Sequence, residues 1–286
     1  MLLNLKSYFC QASKKLKMQP NSGTTNKTYK KLTVQVSLNG ISFCCNDMLL
    51  NTTFILKNIP FTAFQKSEKI EDLFIEVFNN NNELTSKYDE ISVIHSNNLS
   101  TFVPTVLFDE DYLGSYLQYN TKVFETDFFA FDSLENYDMN NVYIPYVNMN
   151  NFFIDHFGSF NYQHASTILV TKLLELSKNN FEKQMFVHAS EAHFEIVVVQ
   201  NQKLLLYNSF EYKTQEDFIY YILFTAEQLQ LNPENFSLKL LGKIDENDTF
   251  YSICYKYIRN VSLLNIENQH NSFSQTENRH HFILLN

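Results

Sequence analysis

The sequence predicts a mixed α/β protein built from two copies of one α/β unit. Two observations carry that expectation. An alternating apolar–polar run that doubles back at Asn39-Gly40 opens the patterned part of the chain near residue 29, and three more short strands with tight connections open near residue 184. After each opening, helical and strand-like periodicities alternate, which is the pattern of α/β layers rather than of a bundle or a sandwich.

In the first copy, Leu32–Leu38 alternates and is rich in β-branched side chains, so it reads as a strand. Asn39-Gly40 follows, and Ile41–Cys45 resumes the strand pattern. Both central positions of a type I′ turn need positive φ, which Asn and Gly tolerate, so a two-residue hairpin is expected here. Thr52–Ile59 is a third strand, ended by Pro60. Ile70, Leu73, Phe74, Val77 and Phe78 have helical spacing. Ile91–His95 reads as a buried strand and Phe102–Phe108 as another, which Pro104 places at an edge. Asp109, Glu110 and Asp111 open a helix through Leu117, where acids meet the positive end of the helix dipole. Asp127–Phe131 and Asn141–Pro145 are strand-like, Met149–Phe157 is a helix stopped by Gly158, Phe160–His164 is a short strand, and Ser166–Leu176 is an amphipathic helix.

The second copy repeats the outline. Gln184–Ala189, Phe194–Val199 and Lys203–Asn208 are three strands. Thr214 and Asp217 form a capping box for an apolar helix to Leu229. Its stripe Phe218–Phe224 is apolar nearly all round, so it is expected to lie between layers, with a partner-binding face as the alternative reading. Leu238–Leu241 is a strand ending at Gly242, Asp248 caps a helix through Tyr257, and Val261–Leu264 is a last core strand. Asn268–Asn278 reads as a polar loop and His281–Leu285 as a terminal edge strand. The organisation is meander, helix, strand, helix, strand, twice, repeated in element order rather than in residue identity. That is the order of a ribonuclease-H-like unit, and two in tandem make an actin-like architecture with a cleft between them. The expected units are residues 29–181, with a small inserted subdomain near 101–134, and residues 182–286.

Composition narrows the function classes. A net charge of -9 and a pI near 5.4 oppose nucleic acid as the main partner, since phosphate backbones want a basic face. No apolar run approaches the ~18 residues of a membrane span. The 27 Phe and 17 Tyr, with no Trp, follow the residue bias of AT-rich codons. Cys10, Cys44, Cys45 and Cys254 contain no CxxC pair, so reduced structural thiols and a cytoplasmic location are expected. Residues 1–28 read as a disordered tail or an over-long start, with Met18 as the alternative initiator and a membrane-surface helix as a further reading. Their apolar residues precede Lys14, Lys15 and Lys17, the reverse of a signal peptide.

Three segments, Tyr29–Phe43, Glu135–Pro145 and Leu204–Phe210 with Glu216–Tyr221, carry distinctive strings such as Leu-Asn-Gly-Ile-Ser-Phe and Leu-Tyr-Asn-Ser-Phe. They resemble a bacterial family of uncharacterised proteins with an actin-like ATPase fold, over nearly all of the chain from Tyr29. The resemblance implies the fold and no activity, so no catalytic residue carries over. By element order, the insert from Phe102 to Leu134 is similar to the small subdomain of actin-like pilus-assembly proteins.

Active members of that superfamily hold ATP between two strand–turn–strand loops, each with an Asp that organises Mg²⁺ and amides that meet the phosphates. Here the first loop is Val36–Gly40, where Ser37, Asn39 and Gly40 stand and the acid is missing. The second is His188–His193, with Ser190 and the single acid Glu191, and the adenosine-side glycine turn is reduced to Gly242. These six residues are the candidate ligand positions of a degenerate cleft. The expectation is a binding or scaffold protein with no cofactor, a protein partner and a possible homodimer. The rivals are a divergent ATPase or kinase using Mg-ATP, with Glu191 as its surviving acid, and a metal-dependent hydrolase using Glu191, His193 and Glu195 on one strand face. His280-His281 is expected at the surface, and Asp109/Asp111 and Asp245/Glu246/Asp248 as helix caps. Cys44 and Cys254 lack an activating neighbour, which argues against a thiol nucleophile.

Overall fold

The computed structural model describes residues 28–62, 65, 69–191, 193–266 and 273–285. The expectations for residues 1–27 and for the first part of the polar loop (268–272) lie outside them.

The chain enters on β1 (Lys30–Ser37), β2 (Gly40–Asp47) and β3 (Thr52–Pro60), a meander, then α1 (Ile70–Asn80) and β4 (Glu90–His95). The first hairpin has the expected two-residue turn, but one position earlier in the chain. Ser37 pairs with Gly40, so the two turn residues are Leu38 and Asn39, and neither has positive φ. Gly40 is needed for a different reason: a Cβ there would lie 2.5 Å from the Ile59 carbonyl oxygen, where β3 passes.

A small module follows, formed by β5 (Ser100–Pro104), α2 (Leu113–Leu117), β6 (Ala130–Leu134) and β7 (Met139–Tyr143). Its sheet order is β5-β7-β6, so Pro104 does end an edge strand, and the segment from Thr105 continues as a 3-10 turn instead. Asp109 caps as expected, its carboxylate accepting from the Asp111 amide at 3.0 Å. The chain then returns through α3 (Val147–Phe157), β8 (Asn161–His164) and α4 (Ala165–Leu176). Gly158 closes α3 at φ +75, a left-handed position that spares glycine the Cβ penalty.

The second half contains β9 (Gln184–Ala189), β10 (His193–Gln200), β11 (Lys203–Glu211), α5 (Gln215–Gln228), β12 (Ser237–Gly242), α6 (Thr249–Tyr257), β13 (Asn260–Leu263) and α7 (Gln275–His280). The two large sheets have the same plan, β3-β2-β1-β4-β8 and β11-β10-β9-β12-β13, with the first three strands antiparallel and the last two added parallel. The fold is thus actin-like, two ribonuclease-H-like units flanking a cleft.

Three apolar layers hold it. α1 and α3 cover the outer face of the first sheet with Phe74, Phe78, Phe152 and Phe153, whose rings meet edge-on or tilted. α5 and α6 cover the outer face of the second sheet. Between the sheets sits α4, buried on nearly every side, with the chain's last described residues, Phe282–Leu285, packed beside it. The Lys172 ammonium on α4 donates to the carbonyls of Phe282 (2.6 Å) and Leu285 (2.7 Å), which fastens this segment between the halves.

These layers correct four expectations. The sandwiched helix is α4 and not α5, whose Tyr220 and Phe224 are 60% and 45% exposed. Residues 281–285 are a turn buried in the central layer, not an edge strand, and part of the expected polar loop is α7, started by a Ser274/Glu277 capping box. Asp248 stands at the N-cap of α6 as expected, but its carboxylate accepts from the Asp245 amide instead of from a helix amide, while Asp245 pairs with Arg279 at 2.6 Å. Among the described residues no helix is long and apolar enough to cross a membrane.

Candidate functional site

The strands β1 and β4 of one sheet and β9 and β12 of the other end at a common opening of about 320 Å³. Such a crevice at strand carboxyl ends is where α/β folds place ligands. The structure brings Ser37, Asn39, Gly40, Ser190 and Glu191 to its walls, together with Asn97, Asn98, His188, His193, Glu211 and Lys243. Gly242 does not line it. That residue lies behind the second hairpin, paired with Ala189. His280 and His281 line the cleft, correcting their expected place on the outer surface.

Both hairpins are closed by their own groups. At the first, the Ser37 hydroxyl accepts from the Asn39 amide (3.1 Å), and the Asn39 carbonyl accepts from the Phe61 amide (2.8 Å). At the second, the Ser190 amide donates to the His193 carbonyl (2.9 Å), and the Tyr212 hydroxyl donates to the Ser190 carbonyl (2.7 Å). The Lys243 ammonium holds the Glu191 carboxylate at 2.7 Å.

Glu191, His193 and Glu195 therefore do not form a joint ligand set. Glu191 sits on the turn with Lys243, whereas Glu195 on β10 is buried and shared between two imidazoles. His188 Nδ1 lies 2.8 Å from one of its oxygens and His193 Nε2 3.0 Å from the other. His188 and His193 stand on different strands of one hairpin, so they converge on the carboxylate instead of facing apart. Burial alone would push Glu195 up, but the charge of His193 and hydrogen bonds from both rings hold it far below the usual carboxylate range. Burial opposes the charge on His193, and the Glu195 carboxylate outweighs it, so His193 is raised. Among the described residues no group of three His, Cys, Asp or Glu side chains is arranged to hold a metal ion.

Beneath the cleft runs a buried polar network that the sequence did not reveal. Asn97 Oδ1 meets His164 Nε2 (3.1 Å), His164 Nδ1 meets the Ser166 hydroxyl (2.7 Å), and that hydroxyl meets Ser100 (3.0 Å) and accepts from Asn141 (2.8 Å). The order Ser, His, Asn resembles a hydrolase relay, yet Ser166 is 2% exposed and no substrate carbonyl can reach it. Burial pushes His164 down to about 3 and His95 to about 4, so both rings are neutral. Asp132 accepts from the His164 amide, the Thr167 hydroxyl and the Tyr143 hydroxyl, tying the small module to the start of α4. Burial lifts the Cys44 and Cys254 thiols to about 12, which removes them as nucleophiles at neutral pH.

The arrangement defines a protein of the actin-like ATPase fold with a cleft of carboxamide, hydroxyl and imidazole groups. Residues 19–261 match the model of a family described as "Protein of unknown function (DUF3822)", and the chain belongs to that family. It is similar to a Bacteroides thetaiotaomicron VPI-5482 protein with actin-like ATPase fold and unknown function, at 21% identity and a TM-score of 0.76, over 90% of this chain and 95% of that one. It is also similar in fold to a chain of the PilM-PilN type IV pilus biogenesis complex, at 11% identity and a TM-score of 0.52, over 89% of this chain and 96% of that one. No curated protein matches the chain.

Proposed function

We propose that the chain is a non-catalytic, pseudo-ATPase member of the actin-like fold that acts as a binding or scaffold protein. One observation carries the reading: Glu191, the single acid in the turns of the two hairpins facing the cleft, is held by Lys243 at 2.7 Å. A Mg²⁺ ion needs carboxylate or other hard oxygen ligands, and a carboxylate already neutralised by an ammonium serves poorly. The two-residue first hairpin supports the same conclusion, because the Asn39 amide is spent on Ser37 and the turn leaves little open backbone to cradle a phosphate. The fold neighbour from a pilus biogenesis complex supports a role in protein assembly. The partner is a protein, and exposed Tyr220 and Phe224 on α5, stacked with centroids 6.0 Å apart, suit a second copy of the chain.

Melting the protein with and without 1 mM Mg-ATP tests this. A nucleotide bound with a Kd of about 10 μM would add ~2.7 kcal/mol, or roughly 5–10 °C for a chain of this size. The expected result is a change below about 1 °C. A saturable rise that disappears in Glu191→Ala would replace the scaffold with a divergent ATPase or kinase.

A further inference from the structure

We propose that the cleft between the two units binds a neutral small molecule bearing several hydroxyl groups, held from both sides by uncharged side chains. The walls separate the groups already spent from those still free. Along β1, Val34 and Val36 belong to the core on the outer face of the sheet, so Gln35 between them points the other way, into the cleft. Asn39 and Ser96 line the cleft from the same unit, and Ser190 and His281 line it from the second. All are half-buried, and among the described residues none of these side chains has a hydrogen-bond partner in the protein.

Charge excludes an anion. Lys243 is the only lysine among the described residues that line the cleft, and Glu191 holds it at 2.7 Å. The His193 ring is taken by Glu195 at 3.0 Å, whereas Glu211 lines the cleft and is in no ion pair among the described residues. A phosphate or carboxylate would therefore meet Glu211 with no free cation to offset the repulsion. What remains is two carboxamides, two hydroxyls and the His281 imidazole, which burial keeps neutral by lowering it to about 4. Each of these groups both donates and accepts, and so does every hydroxyl of a polyol. Tyr146 adds one aromatic ring to the wall, a surface for the C–H face of a sugar. The volume of about 320 Å³ is at the small end of ligand pockets, ~300–1,000 Å³, which suits a sugar ring or a nucleoside. A polar side chain without a partner contributes nothing to folding through hydrogen bonding, so these positions are free to serve a ligand. The inference rests on the pseudo-ATPase reading only in that Mg-ATP does not hold the cleft.

The test melts the full chain with 5 mM glucose, galactose, ribose, myo-inositol or adenosine, with glucose 6-phosphate, ribose 5-phosphate or AMP, and separately with Mg-ATP. A ligand bound with a Kd of about 50 μM raises Tm by roughly 5–10 °C. The expected result is a saturable rise with at least one neutral compound, bound about tenfold or more tighter than its phosphorylated counterpart. A rise with a sugar but not with adenosine identifies a free sugar as the source, and a rise with adenosine alone identifies the ribose of a nucleoside. Gln35→Met and Ser190→Ala, one from each unit, should each melt within about 2 °C of the parent without ligand and weaken binding about tenfold. No saturable rise with any neutral compound, tighter binding of a phosphorylated counterpart, or binding unchanged in both variants would each overturn the proposal. A rise with Mg-ATP and with no neutral compound overturns the pseudo-ATPase reading as well; a rise with neither overturns this inference alone.

Discussion

Acidification from pH 7 to pH 5 should cost this protein about 4 kcal/mol of stability, read as a fall in the urea midpoint at constant m. The source is a pair of imidazoles that the fold keeps neutral. His95 and His164 are fully buried; the first meets Asn150 Oδ1 at 2.9 Å and the second lies in the Asn97–Ser166 network. Burial pushes their titration down to about 4 and about 3. In the unfolded chain both titrate near 6.5, so between those limits the unfolded state binds more protons and gains stability as pH falls. At pH 5 each ring contributes about 2 kcal/mol of that loss. His281, lowered to about 4 mainly by burial, adds in the same direction. Asp132, raised by burial, offsets part of it, because a raised carboxyl favours the folded state toward acid. His193 has the opposite sign from the buried neutral rings. Its contribution is complete below 6.5 and is lost as pH rises through its elevated folded value. Glu195, depressed, contributes above about 4.5 and fails only in stronger acid. The stability maximum therefore falls near neutrality. His164→Gln should remove about half of the acid slope whatever it does to absolute stability. A flat profile between pH 7 and pH 5 would show that the two rings take up protons in the folded state.

The element order was legible because it rests on local periodicity. Runs such as Leu32–Leu38 alternate, and Ile70, Leu73, Phe74, Val77 and Phe78 mark a helix without reference to anything distant. The comparison between α4 and α5 shows where local reading stops. α5 carries the longer uninterrupted apolar run, Phe218–Phe224, yet Tyr220 and Phe224 face outward, whereas Ser166 and Thr167 on α4 are buried because His164 at its N-cap and Asn141 and Asp132 from the small module satisfy them. Polar burial of that kind depends on partners that periodicity does not contain. The segment His281–Leu285 failed for a related reason: a short continuous apolar run reads equally as strand or as buried turn. The cleft was legible in part. Ser37, Asn39, Gly40, Ser190 and Glu191 were found from their places in the loops, but Lys243 and the His188–Glu195–His193 cluster were not. A usable signal existed for the cluster. Once Ala189 and Phe194 are paired across a hairpin, His188 must stand opposite Glu195, a register argument that placing Glu191, His193 and Glu195 on one strand face forfeits.

Gly242→Ala is expected to destabilise the protein by about 3 kcal/mol or more, and for steric reasons rather than through any lost ligand. Gly242 holds φ +82, and a Cβ would lie 2.3 Å from the Ala189 carbonyl oxygen, 2.9 Å from the Ala189 amide nitrogen and 3.0 Å from the His188 ring. Two of those atoms are backbone and cannot swing aside. The same carbonyl accepts from the Lys243 amide at 2.7 Å, so β9 and β12 are clamped together at the root of the second hairpin. Making room for a methyl group would separate the strands there, loosening His188 and displacing Lys243 from Glu191. Gly158→Ala is the matched control. Gly158 also has positive φ (+75), but nothing lies within 4 Å of its missing Cβ, so only the left-handed backbone term of about 1–2 kcal/mol applies. The difference between the two variants in urea unfolding measures the close approach alone. Equal losses would mean that the β9–β12 contact yields easily, and the cleft hairpin would then have to be regarded as a movable wall.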